Sequence, residues 1–401
     1  MKTPVILLDR IGYAFYRDAR GRSFLPADRY DLRLVTDVAK LNEATGPEID
    51  AVIGVGRDNK PGAFDAVRFL HNYRGIPAQR LVAVTERLLL PAAELREELG
   101  IEGPTVEQTR VFRDKVRMKE HLRDNDIAVP DFAAYERGAA VALLAKHGKL
   151  IAKPRHGAGS IDVIVITDIA GIDAFEKQFA DRLDDFDVEQ FIDAPLYHVN
   201  CVIHEGKVVA AMAGRTLTDT TSYLRGEHWI DVNLGPGPVL DTLLDYNSRV
   251  MGTYPWFSGA THHEMFLTED GPVFCEIASR AGGGGTLAGF LFRTGVSLDE
   301  AIVQAQTVGT VPAISQVLDH LTGFTMIYGS PGILLEDVSA PPESWVIEEQ
   351  ILAHKGDRLE APSACDDAVA IISVRGESEH EVRQRLDHVI EYASPKVGTC
   401  A

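Results

Sequence analysis

Cysteine is scarce in this chain and widely scattered. Cys201, Cys275, Cys365 and Cys400 form no CxxC pair, which fits reduced thiols in a cytoplasm better than a disulfide framework. Long apolar runs are missing as well. Val5 to Leu8 is broken at once by Asp9-Arg10, too short for a signal peptide, and nothing approaches the ~20 residues of a membrane span. Basic residues are in deficit, 40 against 59 acidic, for a net charge of −19. That balance argues against nucleic acid or an anionic membrane as the main partner. An anionic nucleotide would need a local cluster of Lys and Arg inside a cleft. Repeats and low-complexity segments are also lacking. What remains is a 401-residue chain with 45% hydrophobic content, the profile of a globular cytoplasmic protein of two or three domains.

The first 104 residues alternate buried-strand runs (5–8, 32–36, 51–56, 81–84) with helical spacing over 64–75 and 92–100, a small open α/β unit. Gly54-Val55-Gly56 follows a strand, but Asn59 stands where a dinucleotide fingerprint has its third glycine. Two glycines at a tight turn account for it better than a cofactor site. From Thr105, with a capping-box-like Gln108, helical spacing runs to about Asp124 and places Lys115 mid-helix among other cations. An extended Val129-Pro130 exit then opens a new domain.

Strand LIAK (150–153) leads through Pro154 into the loop Arg155-His156-Gly157-Ala158-Gly159-Ser160 and on to strand DVIVI (162–166). A glycine hairpin tip can fold over phosphates, offering backbone N–H groups and the Ser160 hydroxyl, with Lys153 adding a point charge. A helix is expected over 169–183. The strand VEQFI (188–192) holds Glu189 between apolar neighbours; either the carboxylate reads an adenine edge or it is an edge-strand acid. HVNCVI and VVAAMA form a hairpin turning at Glu205-Gly206. Residues 215–238 look like an irregular polar loop in which Arg225, Glu227 and His228 are candidates for substrate contact. Helices are expected over 239–252, 297–309 and 380–393, and 321–401 reads as a separate α+β segment.

The densest chemistry is in 262–285, HHEMFLTEDGPVFCEIASRAGGGG. Two apolar-rich runs flank the turn Thr268-Glu269-Asp270-Gly271, and each carries one acid, Glu264 and Glu276. A three-residue loop sets these acids opposite one another; a two-residue loop puts them on opposite faces. The first register is expected, with Phe274, Glu276 and Ala278 sharing a face. Facing carboxylates repel and burial adds desolvation, so a divalent cation between them is the natural remedy. Mg²⁺ takes a few carboxylates and leaves positions for water and phosphate. Arg280 and Gly282 to Gly285 follow, a fixed cation and bare backbone N–H groups suited to an oxyanion.

In order, a strand ending Lys-Pro with a Gly-x-Gly-Ser loop, a Glu-x-Phe strand, an x-His-Val strand, and Glu…Glu-x-x-x-Arg-x-Gly-Gly resemble the ATP-grasp superfamily. Within it the chain is most similar to carboxylate–amine ligases of the L-amino-acid ligase and carnosine-synthase-like branch. The resemblance implies an ATP-grasp fold, α/β and α+β. It would comprise an N-terminal Rossmann-like pre-ATP-grasp domain (1–104), a linking helix (105–128), a small lid subdomain (129–194), a large subdomain with the metal site (195–320) and a C-terminal α+β segment (321–401). It implies that Lys115 and Lys153 bind ATP phosphates under the Ser160 loop, that Glu189 and the Phe191 backbone read adenine, and that His198 touches the nucleotide. Glu264 and Glu276 would hold Mg²⁺ (one or two ions, Mn²⁺ substituting), and Arg280 and Gly283 would steady an acyl intermediate. The family's third metal ligand is an Asn where this chain has Ala278, which leaves the metal count open. The implied reaction activates a carboxylate as an acyl phosphate and joins it to an amine, releasing ADP and phosphate. Lactam closure, biotin-carboxylase-like carboxylation and a non-catalytic nucleotide-binding subunit are the alternatives. Partners would be a small acid and a small amine, and dimers are common in the family.

Overall fold

The computed structural model describes residues 2–18, 20–157, 159, 161–218 and 222–398. Four parallel strands open the chain in the order Ile49–Val55, Tyr30–Asp37, Thr3–Leu8, Arg80–Val82. Their apolar runs are buried by helices Lys60–His71 and Glu86–Leu99 on one side, through Leu70, Leu81, Leu88 and Leu95. The other side meets helix Leu298–Val308 through Leu7, Leu32, Leu298 and Ile302. Strand-type alternation gives way to continuous apolar runs because both faces are covered.

A small four-stranded sheet follows, ordered Phe132–Ala134, Phe186–Gln190, Leu150–Pro154, Ile164–Ile166, with helices Arg137–His147 and Ile169–Gln178 packed on it around Phe175 and Phe186. The largest sheet has eight antiparallel strands: Gly271–Ala278, Gly259–Thr268, Leu196–His204, Lys207–Thr216, Trp229–Asn233, Leu321–Ile327, Ala370–Gly376, Val346–Ile351. The turn at Glu205-Gly206 has φ of 47° and 72°, the left-handed pair that a two-residue hairpin demands.

Three expectations change. The expected single helix after Thr105 is two, Val106–Arg110 under its Thr105/Gln108 capping box and Lys115–Asp124. The second starts where Asp114 accepts from Val116 N at 3.0 Å, so Lys115 opens a helix rather than sitting in the middle of one. Within the supposed irregular loop, Trp229–Asn233 is a strand. It was hidden by inward-facing polar residues, Asp231 and Asn233, and by the Gly/Pro residues after it. That strand pairs with Leu321–Ile327, so the C-terminal residues extend the main sheet instead of standing apart from it.

Candidate functional site

The site is built on the hairpin Gly259–Thr268/Gly271–Ala278. Thr268 pairs with Gly271, so the turn has two residues, not the expected three. Two-residue spacing holds as far as Met265 opposite Phe274, and then Cys275 is skipped as a β-bulge and Glu264 faces Glu276. The anticipated pairing is thus reached by a different route. The bulge also separates Phe274, which packs in the core with Met265 and Ile277, from Glu276 and Ala278 on the other face.

Both acids are partly exposed, 28% for Glu264 and 24% for Glu276. Lys115 Nζ lies 3.0 Å from Glu276 Oε2 and donates to the Gly157 carbonyl at 2.9 Å. Burial works against charge on Glu276, but Lys115, Lys153 and Arg280 prevail and hold its pKa down at about 2. The base of the glycine loop is anchored to the same helix start, since Lys115 N donates to Arg155 O at 3.0 Å and Arg155 pairs with Asp114 at 2.6 Å. Ser160 lies outside the described residues.

Arg280 is fixed by Glu86, the first residue of helix Glu86–Leu99, and donates to Ala281 O at 2.6 Å. Glu86 also binds Arg113, whose other nitrogen reaches His156 O at 2.9 Å. One carboxylate therefore ties the guanidinium to the glycine loop. Of the four glycines after it, three are demanded by packing. A Cβ on Gly282 would sit 2.7 Å from Asn200 Oδ1 and 2.8 Å from His262 Nδ1, and on Gly284 or Gly285 it would overlap Phe324. Only Gly283 opens onto free space.

Behind the lysines lies a buried four-charge cluster. Glu189 is bound by Lys119 through one oxygen and by Lys153 through the other, and Lys119 also meets Asp187 at 2.5 Å. Burial opposes ionisation of Glu189, yet the two ammonium groups hold its pKa below the usual range. Lys153 is correspondingly raised, burial being outweighed by Glu189, Cys275, Asp187 and Glu276. Both Glu189 oxygens are engaged by the two lysines and the side chain is 4% exposed, so the expected adenine contact would require Lys119 or Lys153 to let go. The Phe191 N–H likewise is taken by Lys149 O at 3.2 Å, and Lys149 caps its ring at 3.5 Å.

His198, expected to touch the nucleotide, is buried. Its Nε2 lies 2.8 Å from Asp231; burial lowers its pKa but Asp231 and Glu264 raise it above the ordinary value. It belongs to a hydrogen-bonded row across four strands: Glu264, His262 (3.1 Å), Asn200 (2.9 Å), His198 (3.0 Å), Asp231 and Thr216 (3.1 Å). Arg225 and Glu227, both exposed, pair at 3.1 Å. His228 Nδ1 accepts from Tyr328 N at 3.2 Å and burial lowers its pKa. Glu86, Lys119, Asp187, Asn200, Asp231 and His262 escape sequence reading. Only the polar alternation His198-x-Asn200 inside an apolar strand could have flagged any of them.

Among the described residues, no three His, Cys, Asp or Glu side chains converge on one point as metal ligands. The protein offers the Glu264/Glu276 pair, with His262 Nε2 beside the first. Such a set fits a hard cation whose remaining positions are filled by phosphate oxygens and water.

No protein-family model matches the chain. It is 22% identical over 331 residues to the L-arginine-specific L-amino acid ligase of Bacillus subtilis, covering 77% of this chain and 78% of that one. Among solved structures it is similar to the L-amino acid ligase of Bacillus licheniformis, with a TM-score of 0.76 at 15% identity over 99% of both chains. The biotin carboxylase of Campylobacter jejuni gives 0.71 at 14% identity over 98% of this chain and 92% of that one. The N5-carboxyaminoimidazole ribonucleotide synthetase of Thermotoga maritima gives 0.69 at 14% identity over 99% and 100%. The sheet topology, the hairpin acids and the likeness to solved structures along nearly the whole chain lead to one conclusion: the chain has the ATP-grasp fold.

Proposed function

We propose that the chain is an ATP-dependent carboxylate–amine ligase that joins an amino acid or related acid to an amine, releasing ADP and phosphate. The carrying observation is the facing pair Glu264 and Glu276 with Lys115 at 3.0 Å, Arg280 held by Glu86 and Lys153 behind them. The Bacillus subtilis relative, an L-amino acid ligase by name, supports the same reading.

A carboxylate is a poor electrophile, and phosphorylation by ATP makes it a good one. A divalent ion, Mg²⁺ or Mn²⁺, bound by Glu264 and Glu276 supplies charge neutralisation on the phosphates. The chain's own residues do the rest. Lys115 exchanges Glu276 and the Gly157 carbonyl for phosphate oxygens, and Lys153 adds a second cation at the base of the loop. When the amine attacks the acyl carbon, the oxyanion that forms lies against the Arg280 guanidinium and the Gly283 N–H, the one glycine in the run with open space before it, and its collapse expels phosphate and leaves the amide. Glu86, joined to Arg280 and through Arg113 to His156, couples the loop's position to that guanidinium, so water is excluded when the loop is down. No Ser or Cys nucleophile is required.

The test is a screen of acid and amine pairs for ADP release and product mass. The reading requires ADP release that depends on both substrates. Release with bicarbonate alone, or nucleotide binding without turnover, would replace it. Glu276→Gln should lower kcat by roughly 10²- to 10³-fold, the range for loss of a transition-state charge contact, with the fold retained by circular dichroism.

A further inference from the structure

We propose that the crevice at the carboxyl ends of the N-terminal parallel strands binds a small organic anion, a phosphate or carboxylate bearer, at a site separate from the ATP-grasp centre. The inference does not depend on the ligase reading. Ligands of open parallel sheets sit outside the carboxyl ends of the strands. Here the ends of Thr3–Leu8, Tyr30–Asp37 and Ile49–Val55 border a gap of about 210 Å³ under helices Lys60–His71 and Glu86–Leu99, lined by Arg10, Arg57, Lys60, Arg87, Phe64 and Leu88.

Four cations around one crevice need a reason in a chain of net charge −19. Three of them have acid partners at 3.2 to 3.9 Å, and the fourth, Arg87, has none among the described residues. Asp9 is 3% exposed and already accepts from Ile11 N at 2.9 Å, Gly12 N at 3.1 Å, Tyr16 OH at 3.1 Å and Thr36 Oγ1 at 2.6 Å. Asp37 caps the next turn through Ala39 N at 3.0 Å and stands 3.5 Å from Arg57. Asp58 is 92% exposed and 3.9 Å from Arg10. Lys60 has a partner in Glu94 at 3.2 Å. Arg10 is held below its ordinary range by burial and then by Arg57 and Arg87, which outweigh Asp58 and Asp37. Arg87 has no hydrogen bond or ion pair among the described residues.

Guanidinium forks suit carboxylate and phosphate oxygens in pairs. The start of helix Lys60–His71 adds its positive end to the same space. Phe64 and Leu88 give an apolar wall, and the volume exceeds a bare ion, so the ligand carries an organic part. The paired glycines Gly54 and Gly56, too few for a dinucleotide fingerprint, end the strand that borders this gap. Adjacent residues then link two sites: Glu86 holds Arg280, while Arg87 lines the crevice.

The experiment is calorimetric titration of the full chain with inorganic phosphate and, separately, with succinate. Saturable binding is expected, weakened at least tenfold in Arg57→Gln and in Arg87→Gln, both exposed side chains whose loss leaves the fold intact, and unchanged in Arg358→Gln, an exposed cation of the C-terminal region. Tighter phosphate binding identifies a phosphate ester as the natural ligand, and tighter succinate binding a carboxylate. No saturable binding of either anion, or binding unaffected by both arginine changes, overturns the proposal.

Discussion

Replacing Lys119 by Met tests whether the buried cluster is structural. Lys119 is 1% exposed, Asp187 0% and Glu189 4%. With Lys153 the four charges cancel. At 2.5 Å and an effective dielectric constant near 20, the Lys119–Asp187 attraction is roughly 7 kcal/mol, most of which offsets desolvation. Methionine keeps the volume, so the cavity cost is small, but it strands Asp187 with a net negative charge and no cation. One Asp187 oxygen already lacks a partner. Removing one member of a buried pair costs about 3–5 kcal/mol, and that loss is expected in urea unfolding, read as a lower midpoint at constant slope. Adding Asp187→Asn to Lys119→Met should recover more than half, because Glu189 and Lys153 then balance. A single-variant loss under about 1 kcal/mol, or no recovery in the double variant, would refute the charge argument.

Asp299 is buried beside Arg280, and burial outweighs that attraction to lift its pKa to about 7. Its folded-state value exceeds the unfolded one of roughly 3.9, so the contribution is full below pH ~4 and is lost as pH rises to about 7. Asp299→Asn should flatten stability across that window and raise it above pH 7 by up to roughly 4 kcal/mol, at about 1.4 kcal/mol per unit; a pH series of melting curves decides. Gly282→Ala must displace the Asn200–His262 hydrogen bond and should cost about 1–3 kcal/mol, whereas Gly283→Ala should stay within roughly 0.5 kcal/mol, both read by thermal unfolding. Lys153→Met should weaken ATP binding at least tenfold, by roughly 1.4 kcal/mol or more, in a nucleotide titration.

The two acids of the hairpin were legible because a carboxylate in an apolar run demands an explanation, and Arg280 and the glycines followed in sequence. The glycine-loop strand and its lysine were legible for a similar reason. Lys115 was placed wrongly because helical spacing continues through 111–114, and only the Asp114 cap, stabilised by Arg155 from another sheet, breaks it. The same long reach hid the row from Glu264 to Thr216, whose neighbours lie 33 and 62 residues apart at His198–Asp231 and Asn200–His262. Glu189 is the opposite case. A lone acid in a strand looks available for a ligand until Lys119 and Lys153 are seen closing on it.

The skipped Cys275 has a bearing on how such a hairpin can change over time. Deleting that residue alone would leave a regular two-residue hairpin in which Glu276 still faces Glu264 and Phe274 still faces Met265. Only the loss of a second residue between the turn and Glu276 would carry that acid to the far side of the sheet. The pairing therefore survives one shortening of this strand, and a related hairpin one residue shorter should keep both acids opposed without a bulge.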